Sequence, residues 1–167
     1  MCLDIYDIEN PTSTDGIETS KDGKFFVGYK ALELQQLGTD AFELRSPYCY
    51  FVWGIAKKKT KKTKHGKETI ISLTKEAKQL HISDRANRKN TSLSRDEIRR
   101  GAVDKGFHFY VHQMDAVMDN GDDFVIVKCF IPKDKFVAQG DFGCPSFVAT
   151  ETRISSIAKQ PTEWPEN

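Results

Sequence analysis

Residues 105–132, KGFHFYVHQMDAVMDNGDDFVIVKCFIP, carry the clearest structural pattern in the chain. Phe107, Phe109 and Val111 alternate with His108, Tyr110 and His112. A period of two sends these sets to opposite faces of a strand. Met114, Val117 and Met118 then recur at helical spacing, and Asn120-Gly121 is a stop signal. Residues 124–131 are almost wholly apolar and rich in β-branched side chains, as in a strand covered on both faces. Pro132 has no N–H to donate and ends the ladder. The stretch predicts strand, short helix, strand, and the remainder must pack on it.

No metal is expected at His108 and His112. In a strand, residues four apart share a face but lie roughly 13 Å apart at about 3.3 Å per residue. Bonds of about 2.0–2.1 Å to one ion cannot span that gap. His108 and Tyr110 read instead as polar groups lining a cleft on the less buried face.

Outward from this stretch, residues 25–32 (FFVGYKAL) predict a strand in which Gly28 marks a bulge or a close backbone approach. Residues 42–55 predict strand structure broken at Ser46-Pro47, with Trp53 anchored in the core. Ile70 and Ile71 close a hairpin, and residues 74–82 suggest one or two helical turns. Ser94 and Glu97 form a capping box opening a helix that ends at Gly101. Residues 1–6 form a short first strand, residues around 136 another, and residues 146–157 alternate as the last one. Residues 159–167 are a tail in which Trp164 is the one anchor. Strand signals outnumber helix signals and short connections favour hairpins. The expected fold is therefore one α+β domain over 1–167, a mainly antiparallel twisted sheet with two or three short helices and a lysine-rich loop.

The 167 residues carry a net charge of only +1, which hides a strong asymmetry. Residues 45–105 hold 17 Lys and Arg against six Asp and Glu, a net of +11, so the remainder is at −10. Within that block residues 57–67 (KKKTKKTKHGK) have seven lysines and no acid, namely Lys57, Lys58, Lys59, Lys61, Lys62, Lys64 and Lys67. Mutual repulsion predicts an exposed, mobile loop or hairpin tip. Arg95, Arg99 and Arg100 of the predicted helix add to the basic region. Such a block suits an anionic partner, an acidic protein surface or nucleic acid; a solvated loop folding back on the acidic remainder is the plain alternative. No aromatic interrupts the lysines, so the stacking used by single-strand binders has no support here.

Four dispersed cysteines (Cys2, Cys49, Cys129, Cys144) form no CxxC pair, and Cys49 and Cys129 lie in apolar runs that suit reduced, buried thiols. A cytoplasmic, disulfide-free protein is expected. No membrane is expected either: no apolar run approaches the roughly 18 residues of a span, and the acidic start MCLDIYDIEN is not a signal peptide. Phosphate-loop, dinucleotide-binding, nucleophile-elbow and zinc-protease motifs are absent. Cys2, if exposed by loss of Met1, would pair a thiol with its own amine, but the following Leu3-Asp4-Ile5 reads as ordinary strand.

The order GYKAL (28–32), GFHFY (106–110) before a short helix, an apolar strand, and SFVATE (146–151) resembles small uncharacterised proteins of phages and bacteria. It is also distantly similar to the ADP-ribosyltransferase superfamily. That similarity implies NAD as cofactor, Tyr29 or Lys30 at the first position, Tyr110 stacked on nicotinamide and Glu151 orienting a ribose hydroxyl; Tyr110 and Glu151 would be the catalytic pair. The first motif lacks Arg or His-Gly, and no Ser-Thr-Ser follows the aromatic strand. The leading expectation is accordingly a non-enzymatic binding or inhibitory protein without cofactor, host- or defence-directed on the phage resemblance. An NAD-consuming enzyme and a direct nucleic-acid binder are the alternatives.

Overall fold

The structure is a computed structural model; it describes residues 3–5, 9–47, 51–87 and 92–165. Twelve strands follow in chain order: β1 (Leu3–Ile5), β2 (Phe25–Gln36), β3 (Ala41–Arg45), β4 (Val52–Thr63), β5 (Gly66–Leu73), β6 (His81–Ile82), β7 (Ala102–Val103), β8 (Phe107–Tyr110), β9 (Val125–Pro132), β10 (Phe136–Asp141), β11 (Pro145–Ala149) and β12 (Glu151–Lys159). The α-helices among the described residues are α1 (Arg95–Arg100) and α2 (Gln113–Met118), six residues each.

The α+β expectation is overturned. Half the residues are in strands, every described strand pairing is antiparallel, and the fold is largely β. Two local readings differ from the structure. Residues 74–82 make one turn, with Lys78 N–H donating to Thr74 and Lys75 oxygens, and then His81–Ile82 joins β12 instead of extending a helix. The alternating residues 146–157 are two strands, because at Thr150 the chain changes partners. The Thr150 N–H donates to Lys135 O, and its carbonyl accepts from Ser83 N–H. Upstream, β11 pairs with β8 and β10; downstream, β12 pairs with β9 and β6.

The strand–helix–strand stretch is present as β8, α2 and β9, and β2 runs between its two strands. Tyr29 faces Tyr110 of β8 on one side and Lys128 of β9 on the other. Residues 25–32 of β2 pair continuously with β9, and residues 33–36 pair with β3. Gly28 is a close approach, as its place in the sequence suggested. A Cβ there would lie 2.7 Å from the Phe147 ring and 2.8 Å from Phe109 Cβ, two rings stacked at 5.1 Å. The main core gathers Trp53, Phe42, Phe107, Phe109, Phe147, Leu32 and Ile131, all essentially removed from water.

Helix α2 packs differently from its apolar spacing. Ala116 is the fully buried residue, and Met114 and Met118 point outward, 66% and 78% exposed. The small side chain lets the helix sit close on Tyr29, Tyr110 and Ile126, with which it shares a cluster; a methionine at 116 would hold it off. Helix α1 has the predicted capping box: Ser94 Oγ accepts from Glu97 N–H and Glu97 Oε1 accepts from Ser94 N–H, and Gly101 at φ 68° closes it. Trp164 docks on Phe42, and the Gln160 side-chain amide bonds both the N–H (2.9 Å) and the C=O (3.1 Å) of Ile71 on β5. Cys129 is buried and free, its thiol pushed up to about 12 by burial; Cys144 is also free. The readings of Cys2 and Cys49 lie outside the described residues.

Substituting Gly28→Ala should destabilise the protein by about 1–3 kcal/mol, the usual cost of forcing extra volume into a packed core. Urea unfolding of the two proteins measures it, and an unchanged midpoint would show that the Phe109–Phe147 stack yields freely.

Candidate functional site

The lysine-rich segment, expected as an exposed loop or hairpin tip, is a hairpin. All of residues 57–63 lie in β4, a two-residue turn at Lys64-His65 follows, and β5 returns in continuous register from Gly66. Lysine favours strands little, and Lys62 faces Lys67 directly, a repulsive cross-strand pair. Thr60 opposite Thr69 and Lys61 opposite Glu68 are favourable pairs, and the backbone ladder is complete. The base of the hairpin is held by Ala56 and Ile71 in the core, by Gln160, and by Lys58, whose ammonium lies 5.3 Å from the Trp164 ring.

Beyond that base the hairpin stands alone. Pairing of β3 with β4 ends at Lys57, and Lys58 N–H donates to Asp40 O. From Lys59 onward β4 has, among the described residues, only β5 beside it, and every residue from 57 to 69 is exposed. Strand alternation puts Lys57, Lys59 and Lys61 on one face, and Lys58, Lys62 and Lys67 on the other. The result is a two-stranded ribbon that is cationic on both faces, with Lys64 at its tip.

The arginines of α1 sit on a different element from the ribbon. Helix α1 leads into β7, which ends the strand order opposite to β4 and β5. Arg99 and Arg100 both pair with Asp96, at 2.6 and 2.9 Å, which neutralises part of their charge and lowers the Asp96 carboxyl below its usual range. Arg95 is exposed. A different arginine does the structural work nearby: Arg85, 3% exposed, grips Glu97 with two hydrogen bonds (2.7 and 2.6 Å) and donates to Ser92 O.

The second feature is a cleft of about 130 Å3 between β2, β8 and the turn after β10. Lys30, His108, Tyr110, Asn120 and Phe142 line it, with Asp104 at its rim. Tyr110 donates its hydroxyl proton to Asp119 Oδ2 (2.6 Å) and accepts from Asn120 Nδ2 (3.3 Å). Burial, then the Asp119 hydrogen bond, raises the phenol well above its ordinary value. Lys30 Nζ donates to His108 O (2.7 Å) and sits over the Trp53 and Phe109 rings. The His108 ring nitrogens lie 3.2 Å from Gly106 O and 3.3 Å from Val103 O. A neutral imidazole has one N–H and donates to only one of them. Burial, and then the Lys30 charge, lowers His108 to about 4. His112 is not beside it on the strand but precedes α2 as its cap residue. Among the described residues no cluster of acidic, His or Cys side chains is arranged to hold a metal ion.

Tyr110 and Lys30 share the cleft. Glu151 does not line it: on β12 it faces Ile82 and lies 3.6 Å from Lys135 Nζ. Tyr29 turns its hydroxyl to Glu18 Oε2 (3.2 Å). Asp119 and Phe142 escaped the sequence reading because they sit in turns with no periodicity to expose them, and Asn120 was legible only as a helix stop. No helix among the described residues is long and apolar enough to cross a membrane. No protein-family model, curated protein or solved structure matches the chain.

Depression of His108 has a sign that can be tested. The unfolded chain binds the proton near pH 6.5 and the folded chain only near 4, so stability is fully present above pH 6.5 and is lost as pH falls towards 4. The loss attributable to this residue is on the order of 3 kcal/mol. Melting temperature followed from pH 7 to 4.5 should fall less steeply in His108→Gln than in the parent, and parallel curves would assign the acid sensitivity elsewhere.

Proposed function

We propose that this protein is a non-enzymatic binding protein that engages an anionic partner through the β4–β5 ribbon. The observation that supports this reading is the ribbon itself. Seven lysines occupy a segment that buries no side chain beyond its base, so the hairpin adds nothing to the core. A two-stranded hairpin without an apolar face is marginal in water. Its lysines raise the cost further, and attraction to a polyanion offsets it by releasing counterions. The unpaired edge of β5 also profits from lysines, which discourage edge-to-edge association, but three lysines on each face exceed what edge protection requires.

The proposal centres on the ribbon, and the α1 arginines, two of them paired with Asp96, are secondary to it. A host- or defence-directed inhibitory role is the version of this proposal that the phage-like GYK and GFHFY segments suggest. Cytoplasmic placement belongs to the same proposal.

Replacing the seven lysines of residues 57–67 by serine should lower affinity for a polyanion such as heparin about a hundredfold or more at low salt, and the parent's affinity should fall steeply as salt rises. Retention on a heparin column across a salt gradient measures both. Equal elution of parent and variant would refute the ribbon as the binding element.

A further inference from the structure

Resting on the ribbon as the binding element, we infer that its partner is duplex DNA, entered through the major groove. Three features of the structure lead there. First, the charge is on both faces: Lys57, Lys59 and Lys61 on one, Lys58, Lys62 and Lys67 on the other. A flat acidic protein surface would use one face and leave the other charged and unmatched. A groove walled by phosphates on each side uses both.

Second, the dimensions agree. The B-form major groove is about 12 Å wide and admits a two-stranded ribbon, whereas the minor groove is about 6 Å wide. The major groove of double-stranded RNA is deep and too narrow for side chains to read. The ribbon therefore suits DNA over RNA duplexes.

Third, the projection separates the phosphates from the acidic body. Residues outside 57–67 carry 18 Lys and Arg against 24 Asp and Glu, a net charge of −6. The five residues from Lys59 to Thr63 that extend past β3 span roughly 13 Å. That exceeds the screening length of about 8 Å at physiological salt, so repulsion from the body is weakened by screening while the lysines reach their counter-charges. The absence of aromatics between 57 and 67 disfavours single strands, which bind by base stacking. Thr60 and Thr69, opposite each other at mid-ribbon, supply short polar contacts within the groove.

Fluorescence anisotropy with a labelled 20-base-pair DNA duplex, the same sequence as RNA duplex, a single strand and poly-glutamate tests the assignment. The DNA duplex should bind at least tenfold tighter than the other three. Its log–log salt slope should be about −4 to −6, for five to six phosphates neutralised. Lys59→Ser with Lys61→Ser, and separately Lys62→Ser with Lys67→Ser, should each reduce that slope by about 2. All four positions are exposed, and a thermal melt confirms that each variant is folded. Equal or tighter binding of RNA duplex, single strand or poly-glutamate, or loss confined to one face, overturns the groove assignment and leaves the anionic-partner reading standing. No change on either face toward any of the four probes overturns both.

Discussion

Everything in this fold depends on β2 passing between β8 and β9 with no side chain at its crossing point. The Phe109 and Phe147 rings occupy the space where a Cβ of residue 28 would stand. Packing at that density leaves little room for adjustment. The pairing of Gly28 with Cys129 and of Tyr29 with both neighbours follows from that contact. Once β2 is held there, its far end is free to leave β9 and template β3, and through β3 the hairpin of β4 and β5. The exposed ribbon is the distal end of a ladder that starts at this crossing.

Among the described residues Ser83 Oγ and Arg85 Nε are buried without a hydrogen-bond partner, while the other polar groups around Arg85 meet locally. Arg85 and Glu97 meet in two hydrogen bonds, and Glu97 also closes the capping box of α1. Burial opposes the Glu97 charge, but the Arg85 guanidinium and the Ser94 N–H outweigh it and lower the carboxyl. The ion pair thus fixes where the second half of the chain begins; removing either partner would strand a buried charge. In the cleft, Lys30 and His108 coexist because His108 gives up its proton, leaving one cation in a partly apolar site.

The basic and acidic parts of the chain are separated by geometry as well as by sequence. Lysines that repel one another in the ribbon gain from projecting beyond the body, and the acidic body is spared a dense positive patch against its core. Backbone pairing, not side-chain attraction, holds Lys62 against Lys67. The α1 arginines belong to a different electrostatic setting, with Asp96 as internal counter-ion.

By itself the sequence determined the local pieces: alternation in residues 107–110, the apolar run of β9, the capping box of α1, the close approach at Gly28, and the basic segment. These follow from periodicity, caps and charge, which act over a few residues. Tertiary structure decided the rest. It made the lysine segment a ribbon, since strand pairing with residues 66–73 outweighs the low strand preference of lysine. It split residues 146–157 at Thr150, where a change of hydrogen-bond partner leaves alternation almost undisturbed. It turned the α2 methionines outward because Ala116 lets the helix approach, and it kept the residues after Thr74 from becoming a helix because His81–Ile82 was needed beside β12. It also brought Lys30, Tyr110, Asn120 and Phe142 to one cleft and Trp164 to Lys58. Contacts between residues distant along the chain leave no periodic mark, because only the folded backbone brings them within reach of one another.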